Sequence, residues 1–373
     1  MMYIVSSVLV LYVGILILLL IGLQKIAARG VYQGDKIHFV TVVVAFRDEL
    51  ENLPTLLDCL GRQNYSSFEV ILVDDHSSDD GFELASEWCR EHSRFKVMRQ
   101  PGTGKKAAIT EGVRAAKGEI ILTTDADCSF SENWISEVNK PFGDPRIKLV
   151  FGPVHLRSGD TFFGRIQQME FASVIGTGMA AYGLGHALYC NGANMAYRKE
   201  AFLEVEGFAG SDHIASGDDQ FVLKKIRDRF PSSVFLLNSD DALVSAAPQP
   251  TFSSFVQQRL RWAGKWRSGL SVAGKVAAVS IVAIQCFVLM AWWMILEGSV
   301  YPSVVLLLGV KMLLEYILIS SVPTRSNKRA SAGTFFILQF FYPPYVVLIG
   351  ILSNFVGFVW KGRRHSPRPA VRL

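Results

Sequence analysis

The feature that most restricts the fold of this chain is a set of long segments without charged residues. Tyr3 to Leu23 is an uncharged run of 21 residues, and Val276 to Leu296 is a second run of the same length. Each can cross the hydrocarbon layer of a membrane, about 30 Å thick, as a single helix. Pro302 to Val322 is a third apolar run, whose only charged residues are Lys311 and Glu315. Such segments exclude a fully water-soluble globule.

Charges beside the first run predict an uncleaved anchor. No basic residue precedes the run, whereas Lys25 and Arg29 follow it. Because positive charge stays on the cytosolic side, we expect the N-terminus outside and the following region in the cytosol. The five cysteines are scattered and contain no Cys-x-x-Cys pair. We therefore predict reduced thiols, with neither a disulfide framework nor a zinc site.

The last apolar run predicts a bent or returning segment. Ala330 to Trp360 is uncharged over 31 residues, more than one straight span needs, and Pro343-Pro344 lies near its middle. Proline interrupts a helix, so the run bends there or turns back. In the third run, Lys311 and Glu315 are four residues apart and share a helix face. They form either a structural pair inside the bundle or a substrate contact.

The net charge of +5 is confined to the C-terminus. Five cations with no acidic residue after them account for it, and without them 33 basic residues face 33 acidic ones. These cations are Lys361, Arg363, Arg364, Arg368 and Arg372. A basic tail beside an apolar segment predicts contact with anionic lipid head groups. Nucleic-acid binding is not predicted, since no zinc-finger spacing or RNA-binding aromatic motif is present.

Between the apolar ends, short apolar runs alternate with segments of helical period. Predicted strands are Phe39–Val44, Phe68–Val73, Phe95–Met98, Glu119–Thr124 and Lys148–Phe151. Predicted helices carry the leucines from 50 to 60 and the segments 82–89 and 106–116. This alternation predicts an α/β domain with a Rossmann-type, mostly parallel sheet. Ligands of such sheets bind beyond the carboxyl ends of the strands.

Acidic residues follow two of these strands. Asp74 and Asp75 come after the second strand, and Asp125 and Asp127 after the fourth. Two carboxylates at i and i+2 after a strand can both face one ion, and oxygen ligands suit Mg²⁺ or Mn²⁺. The alternative is a pair of solvated turns that cap the following helices.

Two further elements lie downstream. Gly217-Asp218-Asp219 precedes a predicted helix, where one carboxylate caps the helix while the other is free for chemistry. Gln258 to Trp262 lies in the amphipathic stretch Thr251–Leu270, which is typical of a helix at the membrane interface with snorkelling arginines.

In this order, the three acidic motifs and Gln258-x-x-Arg261-Trp262 resemble the membrane-integrated family 2 glycosyltransferases. That group includes the synthases of cellulose, chitin, hyaluronan and poly-N-acetylglucosamine, and related lipid glycosyltransferases. The resemblance covers residues 38–270 and implies a glycosyltransferase-A-like fold with transmembrane helices at both ends. It implies the domains 1–30 (anchor), 31–250 (cytosolic catalytic domain), 251–272 (interfacial helix), 273–360 (transmembrane helices) and 361–373 (basic tail).

The resemblance also implies residue roles. Glu49, Asp74, Asp75 and Lys105 would contact the nucleotide sugar, together with Asp125. Ala45 and Asp48 depart from the family's Pro-x-x-Asn-Glu motif, and Thr110 replaces a common Asn. Asp125 and Asp127 would hold the metal on the diphosphate. Asp219 would be the general base, with Asp218 as the other candidate because it replaces a usual Glu. The acceptor and diphosphate side would include Asn194, Gln258, Arg261 and Trp262.

The chemistry of these residue types fits sugar transfer. A base must take the acceptor proton, and a cation must neutralise the leaving diphosphate. One base opposite the leaving group implies a single displacement that inverts the anomeric centre. We expect a lipid or lipid-linked acceptor, because the C-terminal spans are few for a polymer channel.

Two other functions stay open. One is a processive polysaccharide synthase, and the other is a non-catalytic nucleotide-sugar-binding protein or a transporter. Expected partners are a nucleotide-sugar donor, a lipid or glycan acceptor and membrane lipids, whereas the sequence identifies no protein partner. The expected location is a bacterial inner membrane with the catalytic domain in the cytosol.

Overall fold

The computed structural model describes residues 2–28, 34, 36–157, 161–211, 217–264, 272–299, 301–324 and 331–366. Three residues used in the predictions lie outside this set: Arg29, Arg368 and Arg372. The helices are α1 (Met2–Ala27), α2 (Leu53–Gly61), α3 (Gly81–Glu91), α4 (Lys105–Ala115), α5 (Trp134–Asn139), α6 (Phe162–Gly183), α7 (Lys199–Glu204), α8 (Asp218–Arg229), α9 (Phe252–Ala263), α10 (Val272–Leu296), α11 (Pro302–Ser320) and α12 (Ala332–Leu352).

Strands form three sheets in the described residues. They are β1 (Val40–Phe46), β2 (Phe68–Asp74), β3 (Phe95–Arg99), β4 (Ile120–Asp125), β5 (Cys128–Ser129), β6 (Leu149–Phe151), β7 (Val154–Leu156), β8 (Met195–Arg198), β9 (Val234–Leu236), β10 (Val244–Ala246), β11 (Phe358–Trp360) and β12 (Arg363–His365). The large sheet has the order β3-β2-β1-β4-β8-β6-β9, and β5-β10-β7 and β11-β12 form the small ones.

The large sheet confirms the predicted α/β architecture. Strands β1 to β4 pair in parallel, as do β6 and β9, and all five predicted strands are present within two residues at each end. Strand β8 was not predicted, and it runs antiparallel to both β4 and β6. The strands are buried on both faces, which explains their continuous apolar pattern.

Helix α6 joins the α/β domain to the first membrane helix. It was not predicted, and it packs along α1 through a contact of small residues. A Cβ added to Gly22 of α1 would lie 2.2 Å from the carbonyl oxygen of Ala180, and one added to Gly183 would lie 1.9 Å from the carbonyl oxygen of Gly22. Glycine therefore permits the two backbones to meet, as in close helix pairs of membrane proteins.

Within the part of the chain that the structure describes, four helices are long and apolar enough to cross a membrane: α1, most of α10, α11 and α12. The predicted pair between Lys311 and Glu315 is present in α11, with 2.8 Å between Nζ and Oε2. Gln339 of α12 bonds to both side chains, and the hydroxyl of Tyr12 donates to Oε1 of Glu315 at 2.7 Å. These polar groups bond to one another across three helices, which favours the structural interpretation of the pair.

Helix α12 bends near its middle. In its first half, Phe335 contacts Tyr316 of α11, and Gln339 contacts Lys311 further from the end of α11. The second half of α12 contacts α10. Phe340 contacts Trp292 near the C-terminus of α10, and Gly350, further along α12, lies beside Val282, which is closer to the N-terminus of α10. Consecutive helices α10 and α11 run in opposite directions, so a straight helix could not be antiparallel to both. Pro343 and Pro344 lie inside α12, as the predicted bend requires.

Candidate active site

Carboxylates gather at one edge of the large sheet because three strands end there in register. Phe46 of β1 pairs with Asp74, the last residue of β2, and Ala45 pairs with Asp125, the last residue of β4. The carboxyl ends of β1, β2 and β4 therefore meet, as expected from the strand pattern.

Asp74 and Asp75 differ in the number of hydrogen bonds that their carboxylate oxygens accept within the protein. Asp75 is 3% exposed, and its Oδ1 accepts from the amide of Gly104 at 2.8 Å and from the side chain of Gln100. Asp74 is fully buried, and its Oδ1 accepts from the amide of Ser77 at 3.0 Å. Oδ2 of Asp74 makes no hydrogen bond within the described residues, but it lies 3.5 Å from Nε of Arg99, the last residue of β3, which balances its charge.

Three residues around this edge have left-handed backbone conformations although none is glycine. The φ angles are 50° for Asp48, 59° for His76 and 48° for Lys361. Asp48 follows β1 and His76 follows β2, so both loops at the predicted nucleoside side are strained. Such conformations cost about 1–3 kcal/mol and concentrate at functional sites.

Lys105, the first residue of α4, bridges the acidic motifs. Its Nζ lies 2.6 Å from Oδ1 of Asp125 and 3.2 Å from Oδ2 of Asp218. Burial opposes the charge of this ammonium group, but Asp125 and Asp218 outweigh burial and raise its pKa well above the usual range. The fourth strand and α8, about 90 residues apart in the chain, thus meet at one cation.

Asp127 is the most perturbed carboxylate of the cluster. Burial, followed by the charges of Asp125 and Glu49, raises its pKa from 3.8 to about 6. A divalent cation would relieve this repulsion. In the described residues, no three His, Cys, Asp or Glu side chains converge as a complete metal site. Two carboxylates nevertheless fit Mg²⁺ or Mn²⁺ that is also held by phosphate oxygens, since such ions are bound through one or two carboxylates plus the substrate.

Asp218 and Asp219 open α8. Gly217 precedes the helix with φ 85°, a left-handed conformation that glycine adopts without strain. The two carboxylates occupy the first turn, where the helix dipole favours negative charge. Asp219 is 8% exposed, and its Oδ1 accepts from the amide of Gln220 at 2.7 Å. Asp218 is held by Lys105, whereas Asp219 lies one residue further into the helix.

The loop from Asn191 to Asn194 packs against the start of α8. A Cβ at Gly192 would lie 3.0 Å from Oδ2 of Asp218, a tight contact that would press on this carboxylate. The Asn194 side chain is buried and bonds to Trp134, Pro153 and Ala242 at 2.8–3.0 Å. These bonds engage its oxygen and its amide nitrogen within the protein, so Asn194 stabilises the loop. Its predicted acceptor role stays a prediction.

Helix α9 brings Arg261 towards the acidic cluster. Burial lowers the pKa of its guanidinium, while the charges of Asp218, Asp125 and Asp219 act in the opposite direction. Arg261 also stacks over Trp360 at 5.3 Å. Gln258 accepts a hydrogen bond from Arg259. Trp262 packs against Phe171 of α6, with 5.9 Å between ring centroids.

The arginines of α9 do not snorkel, contrary to the prediction from the amphipathic pattern. Arg259 is 3% exposed and pairs with Glu170 of α6. Sequence reasoning missed both residues, because the partners are 89 positions apart. The only signal was an acidic residue inside an otherwise apolar stretch, which α6 places against the buried side of α9.

The basic tail also differs from its prediction. Residues 358–365 form the hairpin β11–β12, which folds onto the carboxylate edge. Lys361 Nζ lies 2.6 Å from Oε1 of Glu49, and Arg363 Nη1 lies 2.5 Å from Oδ2 of Asp75. These two cations pair with protein carboxylates rather than with lipid head groups, because opposite charges in a half-buried site attract more strongly than in water.

This combination of a parallel sheet, carboxylates at its edge and α8 defines the glycosyltransferase-A class of fold. A solved mannosyltransferase from Pyrobaculum calidifontis has the same fold, with a TM-score of 0.55, 17% identity and coverage of 94% of this chain and 98% of that one. Residues 41–205 match the family described as glycosyl transferase family 2. This part of the chain therefore matches the family that the motifs predicted.

Curated relatives include poly-beta-1,6-N-acetyl-D-glucosamine synthases. The protein from Staphylococcus aureus (strain COL) is 26% identical over 231 residues, which cover 61% of this chain and 55% of that protein. A protein from Staphylococcus epidermidis is 26% identical over 185 residues, which cover 48% of this chain and 44% of the relative. The matched region thus spans about half the length of these relatives.

Proposed function

We propose that this protein is an inverting glycosyltransferase that moves a sugar from a nucleotide-sugar donor to a lipid or lipid-linked acceptor. The observation that carries the proposal is the bridge from Asp125 through Lys105 to Asp218, beside the buried Asp219. This bridge supports a metal-binding role for Asp125 and Asp127 beside a candidate base. Transfer requires both groups within reach of one anomeric carbon.

In this proposal Asp74, Asp75 and Glu49 receive the nucleoside. The buried carboxylate of Asp74 and the strained loops at Asp48 and His76 support a ligand at this point. Asp125 and Asp127 would hold Mg²⁺ or Mn²⁺, which would neutralise the charge of the diphosphate. The solved Pyrobaculum mannosyltransferase is described in complex with GDP-Man and Mn²⁺.

Asp219 would accept the proton of the acceptor hydroxyl. Asp218 pairs with Lys105, and Asp219 lies beside it in the first turn of α8 within the field of the same ammonium group. Arg261, whose pKa responds to Asp218 and Asp125, would face the leaving diphosphate. A single base on one side of the anomeric carbon leads to inversion.

The membrane helices support an acceptor that lies in the membrane. Helix α6 contacts α1, α11 and α12, and it borders a small pocket together with Cys190, whose thiol donates to the backbone oxygen of Asp219 at 3.5 Å. Asp219 thus lies a short distance from the membrane bundle. This arrangement suits a hydroxyl presented at the membrane surface.

We further propose that α12 is re-entrant and that the catalytic domain faces the cytosol. If α1, α10 and α11 each cross once, the α/β domain and the beginning of α12 lie on the same side. The hairpin β11–β12 follows α12 and contacts Asp75, so the chain has returned to that side. The bend at Pro343 and Pro344 allows this return.

A processive polysaccharide synthase is the second candidate. It is favoured by the relatives from Staphylococcus, which are described as poly-beta-1,6-N-acetyl-D-glucosamine synthases. A single sugar addition to a lipid and repeated addition to a polymer use the same carboxylates, so only the product distinguishes them.

The experiment is transfer from labelled UDP-sugars and GDP-sugars by the purified protein in lipid nanodiscs. Organic extraction separates glycolipid from polymer, and NMR gives the anomeric configuration of the product. We expect labelled, inverted glycolipid, with at least a 100-fold lower rate for Asp219→Asn. Label confined to polymer would support the second candidate. Absence of transfer from every donor, or equal rates for the variant, would contradict the proposal.

A further inference from the structure

Helix α9 carries a second buried arginine. The guanidinium of Arg259 forks onto the carboxylate of Glu170 in α6, with 3.1 Å from Nε to Oε1 and 2.5 Å from Nη2 to Oε2. Arg259 is 3% exposed and Glu170 is 6% exposed. A two-point bond between planar groups fixes the orientation of the partners as well as their distance.

Aromatic rings enclose this ion pair. Phe255 and Trp262 lie 4.2 Å and 4.3 Å from the guanidinium carbon of Arg259. Tyr345 of α12 donates its hydroxyl hydrogen to Oε1 of Glu170 at 3.4 Å. The pair therefore connects α9 to α6 and, through Tyr345, to a membrane helix.

Arg259 and Arg261 lie on opposite faces of α9. An α-helix turns by about 100° per residue, so the side chains of two residues that are two positions apart are separated by about 200° around the helix axis. Arg259 points to α6 and α12, whereas Arg261 lies within the field of Asp218 and Asp125. Any rotation of α9 that breaks the Glu170 contact moves Arg261 away from the acidic cluster.

We propose that Arg259 is a positioning residue, which Glu170 and Tyr345 hold so that Arg261 faces the diphosphate. The inference rests on the proposed function, because it assigns Arg261 to the leaving group. Stability alone explains the pair poorly, since a buried ion pair contributes about as much as well-packed apolar residues of the same volume. The planar guanidinium of arginine fixes the geometry of the pair. A lysine at this position would keep the positive charge but would not fix the geometry.

The test compares Arg259→Lys and Tyr345→Phe in two backgrounds, the wild type and Arg261→Gln. The measurements are kcat, KM for the donor, and the melting temperature in lipid nanodiscs. We expect Arg259→Lys to lower kcat about tenfold in the wild type and less than twofold in Arg261→Gln, because the effect passes through Arg261. Tyr345→Phe, which removes one hydroxyl, should lower kcat about threefold with the same dependence on the background.

Glu315→Gln is the matched control, since it weakens another polar cluster of the membrane bundle, formed with Lys311, Gln339 and Tyr12. It should lower the melting temperature and leave kcat unchanged in both backgrounds. The proposal is wrong if Arg259→Lys lowers kcat by the same factor in both backgrounds. It is also wrong if Glu315→Gln, at a similar loss of melting temperature, lowers kcat as much as Arg259→Lys does.

Binding of UDP and GDP by calorimetry gives a readout that does not need turnover. Arg259→Lys should weaken nucleoside diphosphate binding in the wild type and have no effect in Arg261→Gln. An inactive wild type that shows this dependence would contradict the proposed function alone. An active wild type without this dependence in kcat and in binding would contradict the positioning role alone.

Discussion

Arg363 of the C-terminal hairpin forks onto Asp75 at the end of β2, with 2.5 Å from Nη1 to Oδ2 and 3.2 Å from Nη2 to Oδ1. The two residues are 288 positions apart. In the proposed function these oxygens receive the nucleoside, so Arg363 would compete with the donor for the same carboxylate. The hairpin would thereby border the proposed donor site.

Arg363→Gln should tighten donor binding, because it removes this competitor. Asp75 would keep its bonds from Gly104 and Gln100 and stay in place. The pair is half-buried and exchanges with water, so we expect a two- to fivefold lower Kd, equivalent to about 0.5–1 kcal/mol. Arg364→Gln is the control, since Arg364 in the same strand is exposed. Weaker binding of the donor by Arg363→Gln would instead identify Arg363 as a donor ligand.

Lys105→Gln should lower the transfer rate about 100-fold. Without this cation, Asp125 and Asp218 would repel each other across the site, and the acidic cluster would lose its central positive charge. Initial rates at saturating donor measure the effect. Lys117→Gln makes the same change at an exposed position and should leave the rate unchanged. Similar rates for both variants would show that Lys105 only balances surface charge.

Removal of divalent cations should abolish transfer. After chelation, we expect activity to return with Mn²⁺ or Mg²⁺ and the titration midpoint to rise at least tenfold in Asp127→Asn, because one of two carboxylate ligands is lost. Initial rates over a range of metal concentrations measure both effects. Activity that persists in chelator would remove the metal from the proposed mechanism.

Glu69 should protect the fold against acid. Although burial opposes its charge, bonds from the Lys117 amide at 2.6 Å, Lys96 and Thr41 lower its pKa below the usual 4.5. Its contribution is fully present above pH 4.5 and is lost as the pH falls through the lower folded-state pKa. Glu69→Gln should therefore destabilise the protein by about 2 kcal/mol at pH 7 and by less at pH 3.

Thermal unfolding at several pH values measures this difference. Glu83→Gln is the control, since Glu83 is exposed and its contact with Arg99 is 3.5 Å long. A pH-independent difference between Glu69→Gln and the wild type would show that packing, not charge, is responsible.

The strand ends were predictable because their signals are local. An apolar run that ends in Asp74 or Asp125 identifies both the buried strand and the edge where a ligand binds, and adjacent parallel strands bring the two residues together. The Lys311–Glu315 pair was predictable for a similar reason, since four residues separate the partners on one helix. In both cases the residues that meet are either close in sequence or at the ends of parallel strands in one sheet.

The contacts made by the hairpin and by Arg259 could not be predicted. Lys361 and Glu49 lie more than 300 positions apart, and only the assembled fold decides whether a cation meets a carboxylate, lipid or water. Charge and amphipathic pattern are the same in all three cases. For Arg259, the pattern indicated a helix at an interface, but the interface proved to be α6 rather than the membrane surface.

Gly22 should be essential for the contact between α1 and α6. Alanine at this position would place Cβ 2.2 Å from the carbonyl oxygen of Ala180, a backbone atom that cannot move aside alone. We expect Gly22→Ala to destabilise the protein by about 1–3 kcal/mol through overpacking. Gly14→Ala in the same helix is the control, since nothing lies within 4 Å of its added Cβ. Melting temperatures in lipid nanodiscs measure both. An equal effect at the two glycines would indicate that α1 does not pack on α6 through Gly22, and that it anchors the enzyme without positioning the catalytic domain.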